Sequence, residues 1–304
     1  MNQITCRAFA KINLTLDVSP RRADGYHDIR SVMQTIALHD TLTVTTAPDT
    51  PGVHLEVVGE EADGVPADET NLVHKAAVRG QKIAAARGIL PGNQSGLHIL
   101  LHKRIPSQAG LGGGSSDAAA ALMTASSLLG LALSPARLGE ICASLGADVP
   151  FFLSGGTALA EGLGEKITPL PALAPDWPLV VVKPNAGVPT AAAYAALDAV
   201  RDREVTGATQ HWLSGEQVPF NNFEAVILPA YPEVAAAYAA LSQTAEDGES
   251  FRPLLCGSGS ALLLRASSQT AAEQIAARVK AAEVGKVWVT RTIGARGDNK
   301  SWMQ

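Results

Sequence analysis

Cysteine is scarce in this chain of 304 residues, which has only Cys6, Cys142 and Cys256, far apart and with no CxxC pair. That pattern excludes a disulfide framework and a zinc ribbon. Long apolar runs are also missing, since no stretch approaches the roughly 18 consecutive apolar residues of a membrane span. The N-terminus lacks the basic-then-apolar order of a signal peptide. We therefore expect a cytoplasmic protein without membrane contact.

Charged residues are few as well, at 17% of the chain against 46% hydrophobic residues. The 24 lysines and arginines are outnumbered by 29 acidic residues, which gives a formal net charge of −5. This balance excludes the extended electropositive surface that nucleic acid requires. The apolar content is typical of a chain that folds, and the length predicts about two domains.

Residues 4–18 alternate between apolar side chains at even positions and mostly polar side chains at odd positions. A period of two predicts a long, half-buried strand. Lys11 and Asn13 are then on the same face of that strand, opposite the apolar core. The sequence therefore offers a lysine and an amide side by side on a polar strand face.

Further elements of the first half follow from periodicity and from capping residues. Strands are predicted at 35–45, 53–58 and 97–103. Helices are predicted at 71–87 with Thr70 as cap, from Ser115 or Ser116 to Gly130, and from Ser134 and Pro135 to Gly146.

The segment 154–178 is rich in glycine and proline, and we place a domain boundary there, with a first domain at 1–160 and a second at 161–304. The second half predicts strands at 179–183, 252–256, 261–265 and 286–293, and helices at 190–200, 232–244 and 269–282. Leaving one of the two middle helices aside, the order is strand, helix, strand, strand, helix, strand, which is typical of a ferredoxin-like unit.

The sharpest motif is PSQAGLGGGSSDAA at 106–119, between a predicted strand and a predicted helix. Its glycines allow positive φ and close approach to a bulky anion, and a Cβ at Gly112 is expected to occupy space that a phosphate approaches. Ser115 and Ser116 lie where a helix N-terminus presents unpaired N–H groups. The segment matches neither the Walker loop nor GxGxxG nor GxSxG. A phosphate cradle is therefore predicted, with a flexible connector as the alternative.

This loop resembles the second motif of the GHMP kinase superfamily, PxxxGLGSSxA, which binds ATP phosphates. Three more segments carry the resemblance across nearly the whole chain, namely AFAKINLTLDVSPRRADGYHDIRSV, LGADVPFFLSGG and CGSGSALL. The AKINL and DGYH parts are similar to the branch that phosphorylates a cytidine diphosphate sugar alcohol, cytidine diphosphate methylerythritol, on the route to isoprenoid precursors. The resemblance implies an α+β fold with an N-terminal domain like domain 2 of ribosomal protein S5 and a ferredoxin-like C-terminal domain.

The resemblance implies ATP as co-substrate with Mg²⁺ and one serine of the Ser115–Ser116 pair near the ion. We assign no bound structural metal. The resemblance assigns ATP binding to Pro106, Ser107, Gln108, Ala109, Gly110, Leu111, Gly112, Gly113, Gly114, Ser115 and Ser116. It also implies Lys11 and Asp148 as the catalytic pair, a cation near the transferred group and an acceptor for the hydroxyl. By pattern alone, the alternatives are an exposed surface lysine at Lys11 and a turn aspartate at Asp148.

Substrate recognition is implied at Asn13, Tyr26, His27, Thr190 and Tyr194. A tyrosine can stack on cytosine and a histidine can hydrogen-bond the ring. Thr190 and Tyr194 are one helical turn apart and share a face. The alternatives are a plain turn at DGYH and a core anchor at Tyr194.

Other functions remain open at this point, namely another GHMP kinase, of the mevalonate or homoserine type, or a noncatalytic nucleotide-binding module. The expected partner is a small molecule, and the expected assembly is a monomer or homodimer. Asn222 replaces the usual Asp of the superfamily, and Cys256 replaces a common Ser and is expected only to pack. His98 and His102 share strand parity, but no third ligand indicates zinc.

Overall fold

The computed structural model describes residues 2–89, 96–173, 177–200, 206–244 and 252–295. Within these ranges the strands are β1 Gln3–Arg21, β2 His27–Ala47, β3 Val53–Val58, β4 Gly96–His102, β5 Thr157–Gly162, β6 Lys166–Pro169, β7 Pro178–Lys183, β8 Phe220–Asn221, β9 Leu254–Leu255, β10 Leu262–Arg265 and β11 Lys286–Arg291. The helices are α1 Leu72–Ala86, α2 Gly113–Leu128, α3 Pro135–Leu145, α4 Phe151–Ser154, α5 Thr190–Asp198, α6 Ala208–His211, α7 Glu224–Ala230, α8 Pro232–Thr244 and α9 Gln269–Ala281. A π-helical turn at Trp212–Glu216 follows α6.

The first sheet is built around the long antiparallel pair β1 and β2 and has the order β3-β4-β2-β1-β8, with β5 paired to β2 and β6 to β5. Its register slips between Phe9 and Lys11 and again between Asn13 and Thr15. Such bulges re-aim side chains beside active sites. Here they flank Lys11 and Asn13, so the two polar side chains sit at a local irregularity of the strand.

Strand β1 is buried on both faces, so the prediction of a half-buried strand is wrong for its middle part. Lys11 is 4% exposed and Asn13 is 1% exposed. The even-numbered side chains do face apolar clusters, but different ones along the strand. Ala8 packs in a core made with α2, and Ile12 lies in a separate cluster. Segments distant in the chain also lie beside the strand, since the Lys11 N–H donates to Leu111 O (2.9 Å) and β8 pairs with β1.

The second sheet has the order β11-β7-β10-β9, with every neighbouring pair antiparallel. This is the strand order of a ferredoxin-like unit, as predicted, and α9 packs on it through Ile275 and Val279. Ile12 of β1 and Leu263 of β10 belong to one continuous apolar cluster. The two sheets are therefore joined through a shared core.

Several predicted element ends are wrong, most widely at β2, which begins at His27 rather than at residue 35. Asn71, not Thr70, caps α1, and its Oδ1 accepts from Val73 N (2.9 Å). Helix α2 begins at Gly113 rather than at either serine, because Gly112 takes the left-handed conformation that starts it. The Ser134 cap with Pro135 is confirmed. The predicted domain boundary stays a prediction, and β5 spans it.

In the described ranges no single helix is long and apolar enough to cross a membrane. Helices α7 and α8 reach that length and composition only as a pair, and they are bent by 109°. Their apolar side chains pack inside the molecule, since Ile227 and Val234 are both 0% exposed.

Candidate active site

A cavity of about 930 Å³ lies between the two sheets. Its walls come from β1, the turn before β2, the loop before α2, the start of α5 and the 257–258 turn. The predicted site residues that line it are Lys11, Asn13, Tyr26, His27, Pro106, Ser107, Gln108, Ala109, Gly110, Leu111, Gly112, Gly113, Gly114, Ser115, Asp148, Thr190 and Tyr194. Ser116 is the exception, because it is buried at 1% exposure and is not among the lining residues.

The glycine loop is held in shape by backbone contacts with segments distant in the chain. A Cβ on Gly110, at φ +73°, would lie 1.8 Å from Cys256 O, so only glycine fits there. Ala261 N donates to Ala109 O (3.2 Å), and Lys11 N donates to Leu111 O (2.9 Å). The loop therefore lies between β1 and the 256–261 segment.

The Cβ position of Gly112 faces the protein interior rather than the open cavity. The expectation that a Cβ there would occupy space approached by a phosphate is therefore wrong. A Cβ there would meet Phe152 Cζ at 2.8 Å and Lys11 Cγ at 3.0 Å. Gly114 has nothing within 4 Å of its Cβ position and is the open point of the loop.

Unpaired N–H groups lie at the same place as Gly114. Ser116 N donates to Gly112 O (2.9 Å), so the hydrogen-bond ladder of α2 begins there and the N–H groups of Gly113, Gly114 and Ser115 precede it. Three N–H groups and a helix N-terminus favour an anion. The residues thus fit a phosphate group, and Ser115 is the serine of the pair on the cavity wall.

Lys11 is not an exposed lysine but a buried cation with two oxygen partners. Its Nζ donates to Asn13 Oδ1 (2.7 Å) and lies 3.5 Å from Asp148 Oδ2. The Asn13 amide is oriented because its Nδ2 donates to Ser31 Oγ (2.7 Å). Asp148 is 32% exposed and opens to the cavity. A positive charge and a hydrogen-bond acceptor therefore stand together next to the glycine loop.

Tyr194 and His27 form the other end of the cavity. Their ring centroids are 5.0 Å apart, and Tyr194 packs edge-on against Phe223 (4.9 Å). Burial, with a smaller effect of Asp148, raises the pKa of Tyr194 to about 12, so its hydroxyl stays neutral. Tyr194 packs against the core and also lines the cavity, and its contact with a substrate stays a prediction. Tyr26 is 60% exposed at the mouth.

Comparison with known proteins decides the family. The model for the N-terminal domain of GHMP kinases matches residues 71–156. The chain is 40% identical to the 4-diphosphocytidyl-2-C-methyl-D-erythritol kinase of Moorella thermoacetica, over 96% of this chain and 100% of that one. It is 39% identical to the kinase of the same name from Geobacter sulfurreducens, over 93% and 95% of the two chains. The chain belongs to the family of 4-diphosphocytidyl-2-C-methyl-D-erythritol kinases.

Solved structures agree with this family of kinases. A crystal structure of 4-(cytidine 5'-diphospho)-2C-methyl-D-erythritol kinase superposes with a TM-score of 0.73 at 33% identity, covering 95% of this chain and 99% of that one. Homoserine kinase from Cytophaga hutchinsonii superposes at 0.72 with 19% identity over 97% of each chain, which shows the fold alone. The GHMP kinase fold predicted from the sequence is confirmed.

Sequence reasoning missed a buried ion cluster behind the glycine loop of this family member. Lys103 Nζ donates to Asp117 Oδ2 (2.8 Å) and to Asp40, and both carboxylates are almost fully buried. Burial, and then the nearby Asp40, raises the pKa of Asp117 well above its usual range. Asp40 also accepts the Ile105 N–H (2.9 Å). The signal was an aspartate inside GGGSSDAA and a lysine at the end of the preceding strand.

The remaining singled-out residues have structural surroundings that the family pattern did not indicate. Asn222 Oδ1 accepts from Val18 N (2.7 Å), a role that needs no charge. Cys256 is buried, which raises its pKa to about 12 and fits the expected packing role. His98 stacks on His54 at 4.8 Å. Among residues the structure describes, no group of three histidine, cysteine or acidic side chains is placed to hold a metal.

Proposed function

We propose that this kinase transfers the γ-phosphoryl group of ATP to the 2-hydroxyl of 4-diphosphocytidyl-2-C-methyl-D-erythritol, in the methylerythritol phosphate route to isoprenoid precursors. The observation that carries the proposal is the Lys11–Asp148 pair beside the glycine loop, in one cavity with the Tyr194–His27 rings. A relative of that name covers 96% of the chain at 40% identity. The cavity, at about 930 Å³, is at the upper end of the range for ligand sites.

The ATP phosphates are proposed to bind at the glycine loop, against the N–H groups of Gly113, Gly114 and Ser115. Mg²⁺ ordinarily keeps several waters and binds through phosphates with one or two protein oxygens. The hydroxyl of Ser115, on the cavity wall, is the protein oxygen we assign to it. When bound, the ion would neutralise charge on the phosphates. Ser116 is buried beneath and supports the loop.

Lys11 and Asp148 act on the two sides of the transfer. The ammonium of Lys11, fixed by Asn13, stabilises negative charge that develops on the transferred group. The carboxylate of Asp148 accepts a hydrogen bond from the attacking hydroxyl and orients it, or takes its proton. Asn13 also presents polar atoms to the cavity and is proposed to contact the substrate.

The cytosine is proposed to bind at the Tyr194–His27 end of the cavity, with Tyr26 closing over it from the mouth. Thr190 lies on the same wall, and its hydroxyl is 3.2 Å from Ser258 Oγ. Two aromatic rings with a hydrogen-bonding imidazole suit a flat polar base. The monomeric or dimeric state and the cytoplasmic location stay predictions.

A coupled assay of ATP consumption tests the proposed function. The purified enzyme is assayed with Mg²⁺ and, separately, with the cytidine diphosphate substrate, mevalonate and homoserine. We expect turnover only with the cytidine substrate, and phosphorus NMR of the product should locate the new phosphate on the 2-hydroxyl. Turnover on mevalonate or homoserine alone would assign another kinase of the superfamily, and no turnover at all would support a noncatalytic nucleotide-binding module.

A further inference from the structure

Asp198 is the last residue of α5 and faces the buried imidazole of His27 inside the cavity. Its Oδ1 is 3.2 Å from His27 Nε2. The carboxylate is 32% exposed, whereas the His27 side chain is 5% exposed. Both residues line the cavity. The resemblance to known kinases assigned no role to Asp198.

Both nitrogens of the His27 ring face groups that can only accept a hydrogen bond. Nδ1 lies 2.9 Å from the carbonyl oxygen of Ser19, and Nε2 lies against the Asp198 carboxylate. A carbonyl oxygen and a carboxylate oxygen both accept hydrogen bonds. The imidazole is therefore fixed in place from both sides.

Three further side chains lie around the His27–Asp198 pair. Arg21 on β1 has its Nε 4.0 Å from Asp198 Oδ2. Tyr194 on α5 stays neutral with its raised pKa of about 12, and Tyr26 lies at the cavity mouth. The wall thus presents a hydrogen-bond acceptor, the Asp198 carboxylate, held between His27 and Arg21.

We propose that Asp198 is the residue that makes the site select cytosine over uracil, an inference that rests on the proposed function. Cytosine presents an amino donor at N4 next to an acceptor at N3. The Asp198 carboxylate is an acceptor for the N4 hydrogen, and His27, whose Nε2 lies 3.2 Å from Asp198 Oδ1, holds that carboxylate in position. Uracil presents an acceptor at O4 in place of that amino group. O4 has no hydrogen to give, so its contact with Asp198 would be unpaired or repulsive.

The test compares Asp198→Asn and Asp198→Ala with a matched control, Asp28→Asn. Asp28 lies next to His27 in the chain but pairs outward with Arg22 at 2.9 Å. For each variant, kcat/KM is measured with the cytidine substrate and with its uridine analogue, together with the KM for ATP. Folding is checked by circular dichroism and thermal melting.

We expect the wild type to prefer cytidine by about tenfold or more, the size of one lost polar contact. Asp198→Asn should lower kcat/KM for cytidine by about tenfold or more, mainly through KM, and should raise the relative use of uridine, because an amide also donates hydrogen. Asp198→Ala should lose cytidine binding without gaining uridine. The control Asp28→Asn should keep the wild-type kcat/KM for both substrates, and the KM for ATP should stay unchanged in every variant.

If Asp198 had a structural role alone, its replacement would lower kcat/KM for both substrates by the same factor. An unchanged ratio of kcat/KM for cytidine to kcat/KM for uridine in Asp198→Asn therefore overturns the inference. A wild type that phosphorylates neither nucleotide overturns the proposed function itself, which keeps the two failures apart.

Discussion

Asp40 and Asp117 share one ammonium group, that of Lys103, in the buried layer behind the glycine loop. Two carboxylates and one cation leave the cluster with an excess of acid, and Asp117 Oδ1 has no hydrogen-bond partner. The cluster joins the strand end that enters the loop to the first turn of α2. We therefore expect the protonation state of this cluster to affect the free energy of unfolding more directly than the rate of catalysis.

Asp117→Asn should make the protein relatively more stable as pH rises. The folded-state pKa of Asp117 is raised by burial and by Asp40 above its value in the unfolded chain, about 4. The stability it contributes is present at low pH and lost as pH rises through the folded pKa. The variant lacks that loss, so its free energy of unfolding minus that of wild type should grow from pH 5 to pH 8. Urea denaturation at both pH values measures this.

Asp40→Ala is the contrasting variant for the same cluster. It leaves the Ile105 N–H without its acceptor and takes one carboxylate from a buried ion cluster. We expect a loss of about 3–5 kcal/mol, the usual cost of breaking such a pair. Equal effects of the two substitutions would contradict the unequal roles assigned to the two aspartates.

Lys11→Ala and Asp148→Asn should each lower kcat by about 10²-fold or more, the order found when a charge stabiliser or general base is removed. The dissociation constant of a nonhydrolysable ATP analogue should change less. In the double variant the losses should be smaller than their product, because the two groups act on one step. Near-normal turnover in either single variant removes that residue from the mechanism.

Gly114→Leu should weaken ATP binding by about tenfold or more, about 1.4 kcal/mol, without unfolding the protein. The new side chain would project into open space next to the unpaired N–H groups, and leucine favours a helix over glycine. Gly139→Leu is the matched control, because Gly139 lies in α3 and also has nothing within 4 Å of its Cβ position. Calorimetric titration with an ATP analogue compares them, and equal affinities would place the phosphates elsewhere.

Tyr194→Ala should raise the KM for the cytidine substrate, with a smaller fall in kcat and little change in the KM for ATP, because the base is remote from the reacting hydroxyl. Tyr194→Phe keeps the ring contacts with His27 and Phe223 and should stay near wild type. Steady-state kinetics with both substrates varied make the comparison. A rise confined to the KM for ATP would indicate that ATP, and not the cytidine substrate, binds at the Tyr194 end of the cavity.

Much of the fold could be predicted because its signals are local. The alternation of residues 4–18, the Ser134–Pro135 helix start and the strand order of the second half all depend on neighbours in the chain. The burial of Lys11 could not be predicted in this way. It arises because the 110–112 backbone and Gly257 come from far along the sequence to cover it.

The site followed the same division between local and distant signals. The glycine loop is a continuous motif, and the family pattern brought Lys11 and Asp148 with it. The Lys103–Asp117 bond and the His27–Asp198 pair join residues 14 and 171 positions apart. No periodicity encodes such pairs, since each depends on how two elements pack. The predicted direction of a Cβ at Gly112 was wrong for a similar reason, because the side chain that it would meet, Phe152, belongs to a different helix.

The backing of the glycine loop has a consequence for how the enzyme matures. Gly110 closes against Cys256 O, and Ala261 N holds Ala109 O, so the loop takes its shape from residues synthesised about 150 positions later. When the ribosome has synthesised the whole glycine loop, it has not yet synthesised the 256–261 segment that supports the loop. The nascent chain therefore passes through a long interval in which the ATP sequence exists without an ATP site. We therefore expect nucleotide binding to begin only once the 256–261 segment has docked on the glycine loop.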